Sequence, residues 1–233
     1  IIYDTGSTDK TIELIRSFIK HHPNTSIDFK EEQIISISQI VKLRKEQLLQ
    51  TKTPWFLLLD GDEVWPTREL LKLLKLTHSL PKEKIAVVNQ TREAVGDIWH
   101  YLPKSFGKYH LLGRTGHFNI RLMRNLDYLI AGEYPNEYYS YNGRVINQSD
   151  RYLAYSDAWY LHASHLIRTT NMFSKAYGRR KIIYSLGLEL KKKDIPKVFL
   201  SQQSTIVPNV LVKRSVYFTV RSFIYDALRK MMI

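Results

Sequence analysis

The sequence predicts an α/β fold built on a mostly parallel, doubly wound sheet, because strand-like and helix-like segments alternate along it. A short apolar segment, Ile1–Asp4, is followed by apolar residues at helical spacing, and a second unit of this kind lies at 26–50. The unbroken apolar run Trp55–Leu59 then fits a strand buried on both faces of a sheet. A chain of 233 residues is long enough to enclose such a core.

The elements follow in order from apolar spacing and from turn residues. The first strand leads into a helix that Asp9 or a neighbouring hydroxyl group can cap. The other predicted segments are strands at Ser26–Lys30, Trp55–Leu59, Ile85–Gln90, His117–Arg124 and Leu153–His162, helices at Ile35–Gln50, Thr67–Leu80, Thr170–Leu190 and Lys213–Met232, and an ordered loop at Tyr128–Tyr141. Because the chain begins directly on a strand and without Met, we expect at least one N-terminal element of the fold to be missing.

Positive charge is concentrated towards the C-terminal end. The net charge is +13, and residues 164–233 hold 14 Lys and Arg against 3 Asp and Glu. Residues 1–163 are nearly neutral, with 21 basic against 19 acidic side chains. This asymmetry predicts an anionic partner for the C-terminal region, such as membrane lipid, nucleic acid or a phosphorylated substrate.

The chain has no cysteine, which excludes disulfides, thiolate metal sites and a cysteine nucleophile. This composition is typical of a reducing compartment. No apolar run reaches the ~18 residues that a spanning helix requires, and the N-terminus lacks the basic-then-apolar pattern of a signal peptide. These observations predict a cytoplasmic protein.

A group of carboxylates follows the apolar run at once. Asp60, Asp62 and Glu63 lie at the predicted carboxyl end of the strand, where open α/β sheets bind ligands. Gly61 would let the turn fold tightly and bring both aspartates onto one ligand. Clustered carboxylates repel one another unless a cation joins them, and Mg²⁺ or Mn²⁺ held together with phosphate suits such oxygen ligands. The alternative is an acidic turn that caps the helix starting near Pro66.

Several motifs occur in a definite order along the chain. They are D-T-G-S-T-D at Asp4–Asp9, L-L-L-D-G-D-E at Leu57–Glu63, R-L-M-R-N at Arg121–Asn125, P-N-E at Pro135–Glu137 and H-A-S at His162–Ser164. In kind and order they resemble the motifs of family 2 glycosyltransferases with the GT-A fold, and in particular a bacterial subgroup that modifies lipopolysaccharide cores. The resemblance covers residues 1–168. It departs from the subgroup at Pro135-Asn136, where Val-His is usual, and in lacking the first strand.

The resemblance implies a GT-A catalytic domain over 1–168, followed by a helical basic region over 169–233. It further implies a metal-dependent, inverting glycosyltransferase that moves a sugar from a nucleotide-sugar donor to a saccharide or lipid-linked acceptor in cell-envelope polysaccharide synthesis. The implied cofactor is Mg²⁺ or Mn²⁺. We therefore expect a cytoplasmic enzyme, peripheral to the inner face of the membrane, with no nucleic-acid partner.

For the donor site the resemblance implies Asp4, Asp60, Arg44 and Arg121. Asp4 would accept a hydrogen bond from the nucleotide base, and Asp60 would bind the ribose hydroxyls or the metal. Arg44 and Arg121 stand where the family carries arginines, and either could bind phosphate through two parallel hydrogen bonds. The alternatives are a strand-end cap for Asp4 and surface ion pairs for the arginines.

The resemblance also implies that Asp62 binds the divalent ion, which would neutralise charge on the departing diphosphate, and that His162 is a ligand of the ion or of the diphosphate. Glu137 is the candidate general base, because inversion needs a carboxylate that takes the proton of the acceptor hydroxyl. Glu133 is the alternative base, and His165 is the alternative ligand. The competing interpretations are a hydrogen-bonded core histidine and solvated loop glutamates.

Two other functions stay open at this point. Asp60-Gly61-Asp62-Glu63-Val64 also resembles the nucleophile motif of haloacid dehalogenase-like phosphatases, in which Asp60 would be phosphorylated and Asp62 would act as acid and base. The basic tail and 15 tyrosines would instead suit a nucleic-acid-binding protein. The predicted C-terminal helix is basic and amphipathic, so it would either lie on an anionic membrane or dock on the catalytic domain.

Overall fold

The computed structural model describes the chain apart from residues 34, 35, 37, 135, 167–182, 202–206, 208, 232 and 233. The described residues form two compact units. The first contains Ile1–Phe56 and Arg124–Ser149, and the second contains 57–123, 150–166 and the described residues after 182. The predicted domain boundary at 168/169 lies outside the described residues and stays a prediction.

Strands and helices are interspersed along the whole chain. In order they are β1 (Ile2–Asp4), α1 (Thr11–His21), β2 (Phe29–Glu31), α2 (Ser38–Gln50), β3 (Trp55–Leu57), β4 (Glu63–Val64), α3 (Thr67–Ser79), β5 (Ala86–Val95), β6 (Asp97–Tyr101), β7 (Tyr109–Leu111), β8 (Arg114–Gly116), β9 (Phe118–Arg124), β10 (Leu129–Ala131), β11 (Tyr138–Tyr141), β12 (Arg144–Val145), β13 (Leu153–His165), β14 (Leu188–Glu189) and α4 (Val216–Met231). Short 3₁₀ helices occupy several of the connections.

The first unit contains two small sheets. β1 and β2 pair in parallel, with Asp4 opposite Glu31, and α1 lies between them in the chain. β10, β11 and β12 form an antiparallel sheet, and α2 lies against β10. The prediction of a loop at Tyr128–Tyr141 is therefore wrong, because the two ends of this segment are β10 and β11, which pair with each other. Gly132, with φ of 87°, lies in the turn between these strands. Each strand is too short to show the alternation of apolar and polar residues that would have predicted it.

A seven-stranded sheet lies mostly within the second unit. Its main path runs β14, β6, β5, β13 and β4, and β9 pairs with both β5 and β3. β5 and β13 are parallel, with Leu153 opposite Ala86 and His162 opposite Glu93. β4, β6 and β9 each run antiparallel to the strand of this path beside them, and α3 packs against β13. Pairing between distant segments thus brings β4 and the C-terminal part of β5 beside the C-terminal part of β13.

The predicted α/β class is confirmed, whereas the expected mostly parallel sheet is not found. The large sheet is mixed and mainly antiparallel. One reason lies at Gly96, which alone joins β5 to β6 with φ of 74°. A connection this short allows only antiparallel pairing, because a parallel crossover needs about a dozen residues or more.

The predicted apolar strand is shorter and less buried than expected. Only Trp55–Leu57 forms the strand, its side chains are half-buried, and Leu59 is exposed. Within the described part of the chain β3 pairs with β9 alone, so it is an edge strand. The expectation of burial on both faces is therefore wrong.

Most other predicted elements are found with shifted ends. The helix expected at Thr67–Leu80 is α3, and the last strand runs on to His165. The C-terminal helix spans Val216–Met231. The predicted helix Thr170–Leu190 falls largely outside the described residues, but its end is wrong, since Leu188–Glu189 forms β14.

The core of the second unit packs on the β5–β6 end of the large sheet. It contains Ala94, Ile98, Trp159, Leu161, Leu190 and Ile195. Trp99 and Tyr101 pack against this cluster, so these two aromatic side chains belong to the core, whereas Tyr109 is exposed. Over the described residues, no helix combines the length and hydrophobicity needed to cross a bilayer.

Candidate functional site

The carboxylate turn of the second unit is held against β13. The backbone N–H of Glu63 donates to the carbonyl of Asp60 at 3.1 Å, which closes the turn. β4 then pairs antiparallel with β13, so that Glu63 lies opposite His162, and the N–H of Ala163 donates to the carbonyl of Asp62 at 2.8 Å. Two sequence motifs that are about a hundred residues apart in the chain thus become neighbours.

Gly61 does not have the role expected from the sequence. Its φ lies outside the left-handed region, and a Cβ built at Gly61 meets nothing within 4 Å. The turn is therefore closed by backbone hydrogen bonds that any residue can make, and the expectation that it depends on glycine is wrong.

Asp62, His162, Glu93 and Ser164 form a chain of polar contacts. His162 Nε2 lies 3.3 Å from Asp62 Oδ1, and its Nδ1 lies 3.1 Å from Glu93 Oε1. The Ser164 hydroxyl donates to the other oxygen of Glu93 at 2.6 Å. Both ring nitrogens of His162 therefore face carboxylates, and the ring orientation is fixed. His165, the alternative ligand, has its Nε2 4.0 Å from Glu93.

These contacts set the charge of His162. Burial lowers the pKa of His162, but the hydrogen bonds to Asp62 and Glu93 outweigh burial and raise it to about 10. Burial likewise raises the pKa of Glu93, yet the hydrogen bonds from His162 and Ser164 outweigh it and hold that pKa below its usual range. At neutral pH and without a bound cation, His162 is an imidazolium between two carboxylates.

Arg121 organises the other side of the turn. Its Nη2 donates to Asp60 Oδ2 at 2.9 Å and also to Glu63, and its Nε donates to the Tyr160 hydroxyl at 3.3 Å. The side chain of Glu63 is fully buried. Burial raises the pKa of Glu63 to about 7, although the Arg121 guanidinium acts in the opposite direction. Arg121 therefore fixes the two acidic residues that flank Asp62.

The charges around the turn favour a cation. Carboxylates outnumber cationic groups there, with Asp60, Asp62, Glu63 and Glu93 on one side and Arg121 and His162 on the other. The side chains of Asp60 and Asp62 are about a quarter exposed, at 25% and 24%, so both are accessible to a ligand.

Asp62 and His162 have the spacing of two ligands on one ion. Their 3.3 Å separation is close to the ~3.0 Å between adjacent ligands of an octahedral ion with bonds of about 2.1 Å. Mg²⁺ typically takes few protein ligands and completes its shell with substrate phosphates and water. Among the described residues no group of three or more His, Asp or Glu side chains is arranged to hold an ion. The pair thus fits an ion that a substrate helps to hold, provided that His162 gives up its proton.

In the first unit, Asp4 holds the turn after β1. One of its carboxylate oxygens accepts from the N–H groups of Gly6 at 3.0 Å and Ser7 at 2.9 Å, and the other accepts from the Ser7 hydroxyl at 2.5 Å. Gly6 has φ of 101°, a conformation that favours glycine. Asp4 is buried and acts as the strand-end cap considered as the alternative. Its role towards a nucleotide base stays a prediction.

The first unit also brings Arg44 and Glu137 together. The two form an ion pair, and their side chains are only 8% and 6% exposed. Arg44 also lies over the ring of Tyr134, 5.3 Å from its centroid. Glu137 Oε2 is buried and has no hydrogen-bond partner among the described residues, whereas Glu133 is exposed. Neither the expected phosphate contact of Arg44 nor the expected base role of Glu137 is tested by this contact.

Sequence reasoning missed Glu93, which belongs to the site of the second unit. It lies in β5 within the segment T-R-E-A-V, which carries no motif. The available signal was weaker: an acidic residue beside the apolar pair Ala94-Val95 in a strand is costly to bury without a partner. The register of β5 on β13 supplies that partner by placing Glu93 opposite His162.

A cavity of about 430 Å³ also lies on the second unit, lined by Arg92, Tyr101, Lys104 and His117 among others. Arg92 stacks over Trp159, 3.6 Å from the ring centroid. None of the predicted site residues lines this cavity.

Three of the motif segments that carry the resemblance meet in the second unit, through the contacts of Asp60 with Arg121 and of Asp62 with His162. No protein-family model matches the chain, and no curated protein matches it.

Proposed function

We propose that the chain is a GT-A-type glycosyltransferase of family 2 that transfers a sugar from a nucleotide-sugar donor, with Mg²⁺ or Mn²⁺, to a saccharide or lipid-linked acceptor. The single observation that carries the proposal is the contact of Asp62 with His162 at 3.3 Å. The resemblance assigns metal binding to these two residues independently, and Glu93 supports His162 from the far side as carboxylates do at metal-bound histidines.

Each residue of the second unit then has a separate task. Asp62 and His162 hold the cation, whose chemistry is to neutralise the charge of the diphosphate as it leaves. Glu93 fixes the tautomer of His162 so that Nε2 is the free ligand atom. Arg121 orients Asp60, since its guanidinium already contacts two carboxylates and its side chain is 7% exposed. Asp60 is left to bind the ribose hydroxyls or the cation.

Within the first unit, Glu137 is the proposed general base. Its Oε2 is the oxygen without a hydrogen-bond partner among the described residues, so it can accept the proton of an acceptor hydroxyl. Arg44 holds the carboxylate by its other oxygen, Oε1. Arg44 is thereby proposed as a positioning residue, and Asp4 keeps its proposed contact with the nucleotide base.

The test is calorimetric titration of UDP and GDP with and without Mn²⁺. We expect one of the nucleotides to bind only with the metal, and Asp62→Asn to abolish that dependence because it removes an anionic ligand. Asp157→Asn is the matched control, since Asp157 lies on β13 with a side chain that is 72% exposed. Metal-independent binding that Asp62→Asn leaves unchanged would contradict the proposal.

The same preparation distinguishes the competing functions. Release of phosphate from a generic aryl phosphate, lost in Asp60→Asn, would favour the phosphatase. Binding of oligonucleotides that weakens steeply with salt would favour the nucleic-acid-binding protein. We expect neither activity.

A further inference from the structure

Helix α4 lies on the second unit through a side that combines Phe218, whose ring packs at Gly96, with polar residues. Asp226 accepts a hydrogen bond from the N–H of Leu186 at 2.9 Å and from the Ser185 hydroxyl at 3.2 Å, and Ser222 is fully buried. Arg229 reaches the carbonyl of Ser105 at 3.3 Å. These polar residues share one face of the helix, and that face is the one packed on the protein.

The opposite face of α4 is apolar and exposed. We name it the α4 outer face: Val216, Tyr217, Val220, Phe223, Ile224, Ala227, Leu228 and Met231. The large side chains of this face are between 49% and 80% exposed. Val212, just before the helix, is also exposed, at 65%.

Apart from Phe218, this orientation is the reverse of that of an ordinary surface helix, which turns its apolar stripe to the core and its polar stripe to water. A contiguous apolar face that is exposed on a protein surface marks an interaction site. The hydrogen bonds of Asp226 and Arg229, together with the packing of the Phe218 ring at Gly96, hold the helix in this orientation, so the exposed face is a built feature of the unit.

The charges beside this face indicate its occupant. Arg221 lies exposed at the border of the face, with its guanidinium near the hydroxyls of Tyr184 and Tyr217, and Lys213 precedes the helix in an exposed position. Residues 164–233 hold 14 basic against 3 acidic side chains, and among the described residues Lys213 and Arg221 lie beside this face. Basic residues that flank an apolar face are complementary to anionic lipid headgroups above an acyl layer. Each Lys or Arg near the membrane surface contributes favourably to the free energy of binding.

We propose that the α4 outer face docks on an anionic lipid bilayer, with the helix lying in the plane of the membrane interface. At 16 residues the helix is about 24 Å long, so it fits along the interface. Tyr217 supplies an aromatic side chain of the kind that favours the headgroup level, and Phe223 is one of the apolar side chains that would enter the acyl boundary. The inference is independent of the proposed transferase activity, because no residue of the carboxylate site takes part.

Co-sedimentation with vesicles tests the proposal. The vesicles are phosphatidylcholine alone or phosphatidylcholine with about one-third phosphatidylglycerol, which supplies the anionic surface. The variant is the double change Phe223→Ser and Ile224→Ser, and the control is Leu71→Ser with Leu74→Ser, two residues of α3 that are 52% and 45% exposed. Circular dichroism checks that both variants fold.

We expect the wild-type chain to sediment with the anionic vesicles and to be released by high salt. The Phe223/Ile224 variant should lose at least about tenfold in partition coefficient, because burial of each side chain contributes that much or more. The α3 control should bind like wild type. Failure to bind either vesicle, or equal binding by the variant, would overturn the proposal. A third result would also overturn it: the wild-type chain does not bind vesicles but forms a dimer in sedimentation velocity, and the Phe223/Ile224 variant is a monomer. A second copy of the chain would then be what covers the face.

Discussion

Glu93 and His162 lie opposite each other in the parallel pair β5–β13, and their contact decides the state of the candidate metal ligand. Carboxylates on both sides keep the ring protonated at neutral pH, and a cation that binds Nε2 would have to replace its proton. On the proposed function, a metal would bind by exchange with this proton, and Glu93 would hold the ring for that exchange.

We predict that Glu93→Gln lowers the pKa of His162 from about 10 by about one unit or more, because glutamine keeps the shape but removes the negative charge. Ring chemical shifts in an NMR titration measure this pKa, with His162→Gln to assign the signal. Glu83→Gln, at an exposed position of the same unit, should leave it unchanged. An unchanged His162 pKa in Glu93→Gln would mean that the contact is absent in solution.

Asp97 is another buried carboxylate, and its contacts are those of a group that stabilises the fold. Its side chain is 1% exposed and accepts hydrogen bonds from the N–H of Trp99, the N–H of Arg214 and the His100 ring. Burial raises the pKa of Asp97, but these hydrogen bonds outweigh it and place that pKa below its usual range. Because the folded pKa is depressed, the stabilisation is present above the unfolded pKa of ~3.9 and is lost as the pH falls through the folded value.

Asp97→Asn should lower the free energy of unfolding at pH 7 by about 1–3 kcal/mol, since hydrogen bonds to a charged acceptor are lost. Urea unfolding at pH 7 and again below pH ~3 measures the difference, which should shrink at the acidic value. Asp157→Asn should have little effect at either pH. A loss of equal size at both values would show that packing rather than charge is responsible.

At the scale of elements, the turn after β6 is tightly fitted to β8. A Cβ at Gly107 would lie 2.1 Å from the carbonyl carbon of Gly116 and 2.3 Å from the nitrogen of His117, so alanine cannot be accommodated without moving backbone. At Gly61, by contrast, a Cβ meets nothing within 4 Å. The motif glycine is thus replaceable, and the glycine outside any motif is not.

Gly107→Ala is predicted to lower the free energy of unfolding by about 3 kcal/mol, because overpacking against backbone cannot relax locally. Gly61→Ala should change it by no more than about 0.5 kcal/mol, the range of a surface substitution. Thermal unfolding of both variants measures the difference. A large loss in Gly61→Ala would contradict the geometry of the carboxylate turn.

The sequence did not predict which strands pair with one another or which face of a helix packs on the protein. The apolar run after Pro54 indicated a strand, but hydrophobicity does not distinguish a central strand from an edge strand, and β3 is an edge strand over the described residues. Helical spacing did locate α3 and α4, yet the apolar spacing of α4 could not tell which face turns inward. That choice depends on Leu186 and Ser185, which are about forty residues away in the chain.

For the whole molecule, the sequence motifs pointed to residues that prove to be neighbours, whereas they did not predict the pairing of the sheet that supports them. Asp62 and His162 were each chosen from local motifs, and they are in contact. Glu93 had only a weak local signal, because it is the long-range register of β5 on β13 that brings it to the site. The same long-range pairing makes the sheet mixed, which the alternation of strands and helices did not indicate.

The central claim is that Asp62 and His162 together hold a divalent cation on a nucleoside diphosphate. Pulsed electron paramagnetic resonance of Mn²⁺ in the presence of UDP or GDP tests it directly, because the spectrum reports nuclei bonded to the metal. We predict coupling to phosphorus and to an imidazole nitrogen, with the nitrogen signal lost in His162→Gln and nucleotide-dependent Mn²⁺ binding lost in Asp62→Asn. Phosphorus coupling without any nitrogen signal, or a spectrum that neither variant alters, would contradict the claim.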